Sequence, residues 1–171
     1  MGKLVSLKSL VHIRENLHRR GKTFVFTNGT FDILHRGHVE YLTRASQFGN
    51  VLAIGLNTDA SIRRIKGNGR PINQAHDRAA VLAALEVVDY VCFFADDTPH
   101  RMIARLKPDV LVKGADWKLK DIVGRDVVGE RGGSVRRVSL TRGHSTTRLI
   151  EQIVRMYGVT KGRRSKRGTK N

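Results

Sequence analysis

The sequence contains a single cysteine among its 171 residues, which excludes a disulfide framework. Cys92 lies in an apolar run, residues 91–94, so we expect a buried and unreactive thiol. No apolar stretch approaches the roughly 18 to 20 residues of a membrane-spanning helix, and the first residues lack the apolar region of a secretory signal. These absences predict a soluble protein of the reducing cytoplasm.

Acidic residues are scarce, since 15 Asp and Glu stand against 32 Lys and Arg and leave a net charge of +17. Six cations and no acid fall in residues 161–171, which also lack apolar side chains. Such a composition predicts a disordered tail that binds polyanions weakly. Residues 1–160 are expected to form one domain, which at this length can bury about 70% of its unfolded surface without disulfides or a structural metal.

Short apolar runs alternate with helical patterns along the chain. Strands are predicted at 24–26, 51–56, 88–94, 110–112 and 135–140, and helices at 9–20, 37–48, 73–85, 98–106 and 145–157, with Thr98 as a helix cap. Residues 113–133 show no regular pattern. This order predicts an α/β, Rossmann-like fold with a doubly wound, five-stranded parallel sheet, whose ligands bind at the carboxyl ends of the strands.

The segment after the first long strand, residues 27–38, is the most informative in the chain. His35 and His38 are three residues apart in the first turn of a predicted helix, where backbone N–H groups and the helix dipole favour anions. Gly29 and Gly37 would let phosphate oxygens approach the backbone. From spacing alone, a surface pair or half of a metal site is as good a reading, although zinc would need further ligands.

A second cluster of charge, residues 62–71, holds four cations and no acid around a glycine-bearing turn. This concentration suits a compact polyphosphate as well as a nucleic acid. The high net charge therefore keeps a nucleic-acid-binding module open as an alternative from another functional class.

The stretch Gly-Thr-Phe-Asp-Ile-Leu-His-Arg-Gly-His at residues 29–38 resembles the H-x-G-H signature of the cytidylyltransferase-like nucleotidyltransferases. Three further matches follow in order, at residues 66–71, 113–117 and 144–148. Within that superfamily the chain is most similar to the heptose 1-phosphate adenylyltransferases, on residues 27–29, 97–99, 111–116, 122–124 with Asp126, and 132–133. Glycerol-3-phosphate cytidylyltransferases characteristically have Asp-Asp-Trp where this chain has Ala115, Asp116 and Trp117, which makes cytidine specificity less expected.

The resemblance implies transfer of AMP from ATP to D-glycero-β-D-manno-heptose 1-phosphate, with Mg2+, and with His35, His38 and Lys66 as catalytic residues. It implies nucleotide or substrate contacts for a larger set: Asn28, Gly29, Thr30, Phe31, Asp32, Gly37, Arg70, Arg78, Lys113, Gly114, Asp116, Ser145, Thr146 and Thr147. A polyol phosphate, another sugar phosphate or flavin mononucleotide are alternative acceptors. A separate sugar kinase is expected to supply the acceptor, and a homodimer is compatible with the resemblance.

Several of these residues have structural alternatives. A role as a cap for the helix that contains the histidines explains Asp32 as well as a nucleotide contact does. Arg78 either reaches the phosphates or pairs with a nearby carboxylate. Taken alone, Ser145, Thr146 and Thr147 are better explained as a helix cap, and Lys66 and Arg70 as solvated loop charges.

Overall fold

The computed structural model describes residues 2–141 and 143–158, which form a parallel six-stranded sheet covered by helices on both faces. The predicted basic tail lies outside these residues. The strand order is β1-β4-β3-β2-β5-β6, and every described pairing is parallel. The strands are β1 (Lys3–Leu4), β2 (Phe24–Gly29), β3 (Val51–Asn57), β4 (Tyr90–Phe94), β5 (Val110–Gly114) and β6 (Ser134–Val138).

The connecting segments are mostly helical. The helices are α1 (Leu7–Arg19), α2 (Arg36–Ser46), α3 (Asp59–Lys66), α4 (Ala75–Ala83), α5 (His100–Leu106), α6 (Arg125–Gly129) and α7 (Thr146–Tyr157), with a 3-10 turn at Leu119–Asp121. Alternate side chains of β2 enter opposite cores, because successive residues of a strand point to opposite faces. Val25 packs with α2 and α4, whereas Phe24 and Phe26 pack with α1, α5 and α6.

The predicted fold class is confirmed, with corrections to its elements. The sheet has six strands rather than five, because residues 3–4 pair with β4 at one edge. A two-residue strand that begins with lysine carries no periodic signal, so only the tertiary contact reveals it. The helix α3 was not predicted either, and it ends where Gly67 adopts a φ of +89°, a value that favours glycine.

Two smaller expectations concern single residues. Thr98 does not cap α5, since the N-cap position is Pro99 and no side chain caps the helix. Cys92 is buried as expected, and burial raises the pKa of its thiol to about 11. A thiol with such a pKa stays protonated near neutrality, which agrees with an unreactive role.

The strand order determines where a ligand is expected to bind. From β2 the chain adds β3 and β4 on one side, and then returns to place β5 on the other side of β2. Neighbouring connections therefore leave β2 and β5 in opposite directions and open a crevice at their carboxyl ends. Ligands of doubly wound folds bind at such a point.

Candidate active site

A cavity of about 490 Å3 opens at the carboxyl ends of β2 and β5. Ten of the predicted site residues line it: Asn28, Gly29, Thr30, Phe31, Gly37, His38, Lys66, Lys113, Gly114 and Asp116. Its size falls within the range of cavities that hold nucleotide-sized ligands. The sequence matches at residues 29–38, 66–71 and 113–117 thus meet at one place in the fold.

The two histidines form a stacked pair at the beginning of α2. Their ring centroids are 3.8 Å apart, with 20° between the ring planes, and His35 occupies the N-cap position. A Cβ atom on Gly37 would come within 3.2 Å of both the His35 ring and the His144 Cβ. The glycine therefore allows the close packing of histidines, in addition to the backbone access expected from the sequence.

Both rings lie in an environment that disfavours positive charge. Burial, together with the neighbouring His35 and Lys66, lowers the pKa of His38 to about 4. Burial also lowers the pKa of His35, with a contribution from His144. The Nδ1 atoms of both rings are buried without a hydrogen-bond partner among the described residues. Near neutrality the site thus holds two uncharged imidazoles with unused hydrogen-bonding capacity, as is typical of a ligand site.

Lys113 provides a half-buried cation at the carboxyl end of β5. Its Nζ donates a hydrogen bond to Asn28 Oδ1, which joins the carboxyl ends of β5 and β2. Burial lowers the pKa of Lys113 to about 8, against the opposing effect of Asp116. The ammonium group is therefore close to its titration range, and an anionic ligand would favour its charged form.

Lys66 reaches the cavity from the end of α3. Its Nζ lies 3.3 Å from Thr30 Oγ1, on the loop that follows β2. Burial and the neighbouring Arg70 lower the pKa of Lys66, whereas Asp32 raises it. This contact with the histidine loop argues against a purely solvated loop charge.

Asp32 fastens the loop after α3 to the loop after β2. Its buried carboxylate accepts hydrogen bonds from the backbone N–H groups of Ile72 (2.8 Å) and Asn73 (2.9 Å), and it lies 2.9 Å from Arg70 Nε. The predicted cap for α2 is wrong, because His35 occupies that position. Asp32 and Arg70 do not line the cavity, and their groups instead hold the basic loop beside it.

Arg78 also contacts the loops that follow β2 and α3. Its guanidinium group is fully buried and donates to the carbonyl oxygens of Thr30 (2.6 Å), Asn57 (2.8 Å) and Asn73 (3.0 Å). It also pairs with Asp59 at 2.7 Å. Of the two sequence alternatives, the structure therefore supports pairing with a carboxylate, and it places Arg78 behind the cavity wall.

The N-terminus of α7 borders the site. Ser145 is the N-cap, and its Oγ accepts a hydrogen bond from Arg148 N at 3.1 Å, as the capping alternative predicts. Thr146 Oγ1 donates to Ile33 O at 3.4 Å, whereas Thr147 is exposed. None of the three lines the cavity. They lie beside it, because the preceding residue, His144, lines the cavity.

Among the polar residues that line the cavity, Tyr41 and Asn57 were missed by sequence reasoning. Tyr41 follows His38 by three residues on α2, and its hydroxyl shares a hydrogen bond of 2.7 Å with Thr27 Oγ1 and donates to Val112 O. Asn57 ends the apolar strand β3, and its Nδ2 donates to Ser61 Oγ. Two features of the sequence could have identified them. Tyr41 lies at helical spacing from His38, and Asn57 is a polar residue at the end of a strand.

Comparison with known proteins agrees with this geometry. A model of cytidylyltransferase-like proteins matches residues 26–152, a range that contains both histidines, Lys66 and Lys113. The chain belongs to the cytidylyltransferase-like family. Within this family it is 50% identical over 155 residues to the bifunctional protein HldE of Citrifermentans bemidjiense, an alignment that covers 91% of this chain and 32% of that protein.

Other relatives of this cytidylyltransferase-like chain match it with similar identity and coverage. The bifunctional protein HldE of Campylobacter concisus is 53% identical over 148 residues, covering 86% of this chain and 30% of that protein. The chain thus spans about a third of the length of these curated relatives. The lipopolysaccharide core biosynthesis protein of Thermoplasma volcanium superposes with a TM-score of 0.58 and 28% identity, covering 72% of this chain and 100% of that one.

A more distant structure shares the fold alone. The pantoate-beta-alanine ligase of Francisella tularensis superposes with a TM-score of 0.60 at 14% identity, covering 83% of this chain and 68% of that one. No described helix is both long and apolar enough to cross a membrane.

Proposed function

We propose that this chain is an adenylyltransferase that moves AMP from ATP to D-glycero-β-D-manno-heptose 1-phosphate, giving ADP-heptose and pyrophosphate. The observation that carries this proposal is that His38, which stacks on His35, meets Lys66 and Lys113 at one cavity. Identity of about 50% with bifunctional HldE proteins supports the same reaction, as does the resemblance at residues 111–116.

The reaction needs little covalent chemistry from the protein. An oxygen of the sugar 1-phosphate attacks the α-phosphorus of ATP, and the bond from that phosphorus to the β-phosphate bridging oxygen breaks. Pyrophosphate leaves with the electron pair of that bond. Because both reactants are anions, positioning and charge neutralisation at the five-coordinate phosphorus supply most of the catalysis.

The histidines are suited to this task as neutral hydrogen-bond donors. Their lowered pKa values keep both imidazoles uncharged in the free site, and negative charge that develops on the α-phosphate oxygens strengthens their N–H hydrogen bonds. Preorganised donors act most strongly where water is excluded. The packing of the two rings against each other, with Gly37 close to the His35 ring, would fix their orientation before substrate binds.

We expect different groups of the site to bind different phosphates of ATP. Lys66 and Lys113 both line the cavity, so we expect the α-phosphate to bind near these two positive charges. The amide groups at the N-terminus of α7, with the hydroxyls of Ser145, Thr146 and Thr147, would bind the β- and γ-phosphates. Asp32, Arg70 and Arg78 would act indirectly by holding the loops that carry Thr30 and Lys66.

Magnesium is expected to enter with ATP. Two carboxylates, Asp97 and Asp116, line the cavity, and no three His, Cys, Asp or Glu side chains within residues 2–141 and 143–158 are grouped as a metal site. These residues fit an ion that keeps most of its bonds to phosphate oxygens and water. When bound, Mg2+ would neutralise phosphate charge. A sugar kinase reaction in the cytoplasm would supply the acceptor.

The test is pyrophosphate release by the purified chain with Mg2+, either ATP or CTP, and a panel of acceptors. We expect turnover with ATP and the heptose 1-phosphate, and far less with CTP, glycerol 3-phosphate or flavin mononucleotide. A His38→Asn variant controls for contaminating activity. Turnover with another acceptor alone would replace the proposed substrate, and no turnover in folded protein would overturn the proposed function.

A further inference from the structure

Tyr41 is a buried tyrosine of α2 that lines the cavity and has no part in the proposed reaction so far. Its side chain is 8% exposed and packs in the apolar cluster that contains Val25 of β2. The hydroxyl oxygen lies 2.7 Å from Thr27 Oγ1 and 3.1 Å from Val112 O. Burial raises the pKa of the hydroxyl above its ordinary value, so the group stays protonated. Buried polar groups need hydrogen-bond partners, and this hydroxyl has two.

The directions of these two hydrogen bonds follow from the protons that are available. A carbonyl oxygen can only accept, so the single hydroxyl proton of Tyr41 goes to Val112 O. Thr27 is fully buried, and its hydroxyl therefore donates to the oxygen of Tyr41. Because its proton is already in use, Tyr41 has none to donate to a phosphate. This side chain is suited to holding other groups in place rather than to contacting the reacting atoms.

The three groups in this chain of hydrogen bonds belong to three elements that carry the site. Thr27 lies on β2, and Val112 directly precedes Lys113 on β5. Tyr41 follows His38 by three residues, so both side chains lie on the same face of α2. One hydroxyl thus connects the helix that carries His38 to both of the strands whose carboxyl ends border the cavity.

Among the described residues, the other side-chain hydrogen bonds that leave α2 go to the segment after β6. Glu40 accepts a hydrogen bond from Thr141, and Arg44 donates to Ser139 O at 3.1 Å. The strands β2 and β5, in contrast, are each paired with two neighbouring strands. Loss of the Tyr41 hydroxyl is therefore expected to shift the helix rather than the sheet.

We propose that Tyr41 is a positioning residue that holds His38 in place for adenylyl transfer. This role rests on the proposed function, in which His38 donates a hydrogen bond to the α-phosphate. Such a reaction depends mainly on the placement of the donors, and a displacement of about 1 Å can cost about 100-fold in rate. Without the hydroxyl, Thr27 and the carbonyl group of Val112 lose this partner, and α2 can shift together with His38.

Two pairs of variants of the full chain test this role. Tyr41→Phe removes the hydroxyl and keeps the ring, and its control is Tyr90→Phe, at a half-buried tyrosine of β4 that does not line the cavity. Thr27→Val removes the donor to Tyr41, whereas Thr27→Ser keeps the hydroxyl and loses a buried methyl group. A merely structural role would make Thr27→Ser at least as harmful as Thr27→Val. Circular dichroism and urea denaturation show whether each variant is folded.

Pyrophosphate release with ATP and the heptose 1-phosphate gives kcat and KM. Tyr41→Phe and Thr27→Val should each lower kcat about tenfold and keep the KM for ATP within about twofold, whereas Thr27→Ser and Tyr90→Phe should retain kcat within about twofold. In His38→Asn protein, Tyr41→Phe should lower kcat by less than about twofold, because a residue that acts through His38 has no further effect once that imidazole is absent. An undiminished tenfold loss in that background would overturn the proposal, as would parental kcat in Tyr41→Phe.

A second measurement does not depend on turnover. The pKa of His38 is about 4 because its ring is buried beside His35 and Lys66. NMR titration of this imidazole should give the same pKa in the parent chain and in Tyr90→Phe, and a pKa higher by about 0.5 or more in Tyr41→Phe, where the ring becomes less buried. If no acceptor supports turnover, the proposed function fails, and this titration still decides whether Tyr41 positions His38. An unchanged pKa in Tyr41→Phe would show that it does not.

Discussion

Asp32 and Arg70 form an ion pair that fastens the basic loop after α3 to the histidine loop after β2. The Arg70 Nε lies 2.9 Å from the Asp32 Oδ2, and the carboxylate also accepts two backbone N–H groups of the same loop. Because Lys66 lies immediately before this loop and contacts Thr30, we infer that the position of this proposed catalytic cation depends on a carboxylate that does not itself line the cavity.

The first prediction concerns this carboxylate. Asp32→Asn should lower the free energy of unfolding by about 2 to 4 kcal/mol, since two buried N–H groups and a guanidinium lose their anionic acceptor. It should also lower kcat/KM for ATP by loosening Lys66. Urea denaturation and pyrophosphate-release kinetics measure the two effects, with the exposed Asp121→Asn as the matched control. A fully stable and fully active Asp32→Asn protein would contradict the positioning role.

The second prediction concerns the stacked histidines. Replacing either His35 or His38 by asparagine should lower kcat by about 100- to 1,000-fold, because a preorganised donor to the transition state contributes roughly 2.7 to 4 kcal/mol. The effect on kcat should exceed that on the KM for ATP, since these hydrogen bonds strengthen as charge develops. His12→Asn, at an exposed position on α1, should retain parental turnover. Equal losses in the control would point to a general effect on folding.

The third prediction is a pH dependence of stability. The pKa of His38 is about 4 in the folded chain, below its ordinary value of 6.5, so the unfolded state binds more protons between these values. Stability should therefore fall as pH drops from about 6.5 toward 4, and His38 should account for about 2 to 3 kcal/mol of the fall.

Chemical denaturation at a series of pH values measures this contribution as the difference between the parent chain and His38→Gln. The variant should lose less stability on acidification than the parent, whereas His12→Gln should follow the parent curve. Parallel curves for the parent and His38→Gln would show that the His38 imidazole is not held in its neutral form.

The fourth prediction concerns Lys113. Burial lowers its pKa to about 8, so kcat/KM for ATP should decrease as pH rises through that value and the ammonium charge is lost. Lys113→Arg keeps its charge and should remove this decrease, even if its overall rate is lower. Lys118→Arg is the control at an exposed position near the same strand. A decrease of the same shape in Lys113→Arg would assign the titration to another group.

The fifth prediction tests the packing at Gly37. An added Cβ would come within 3.2 Å of His35 and His144, so Gly37→Ala should displace the stacked pair and reduce turnover by about tenfold or more. Gly129→Ala, where a Cβ meets nothing within 4 Å, provides the control, and it should gain stability from the better helix former. Normal turnover in Gly37→Ala would mean that the histidines do not need this fixed arrangement.

Much of the candidate site could be predicted from local patterns in the sequence. Strand length and β-branched content located β2 to β6, and alternation with helices indicated the doubly wound sheet. That topology brings the strand ends together, which is why His38, Lys66 and Lys113 could be assigned to one site although they are distant in sequence.

The roles of the charged residues behind the cavity were decided by tertiary structure. Asp32 and Arg78 bind groups about 40 and 48 positions away, and no local period records such contacts. The strand β1 depends in the same way on pairing with β4. The apolar period of α7 was likewise visible in the sequence, but periodicity does not say whether a face is covered. Only the fold leaves that face exposed, because side-chain burial depends on which elements meet in space.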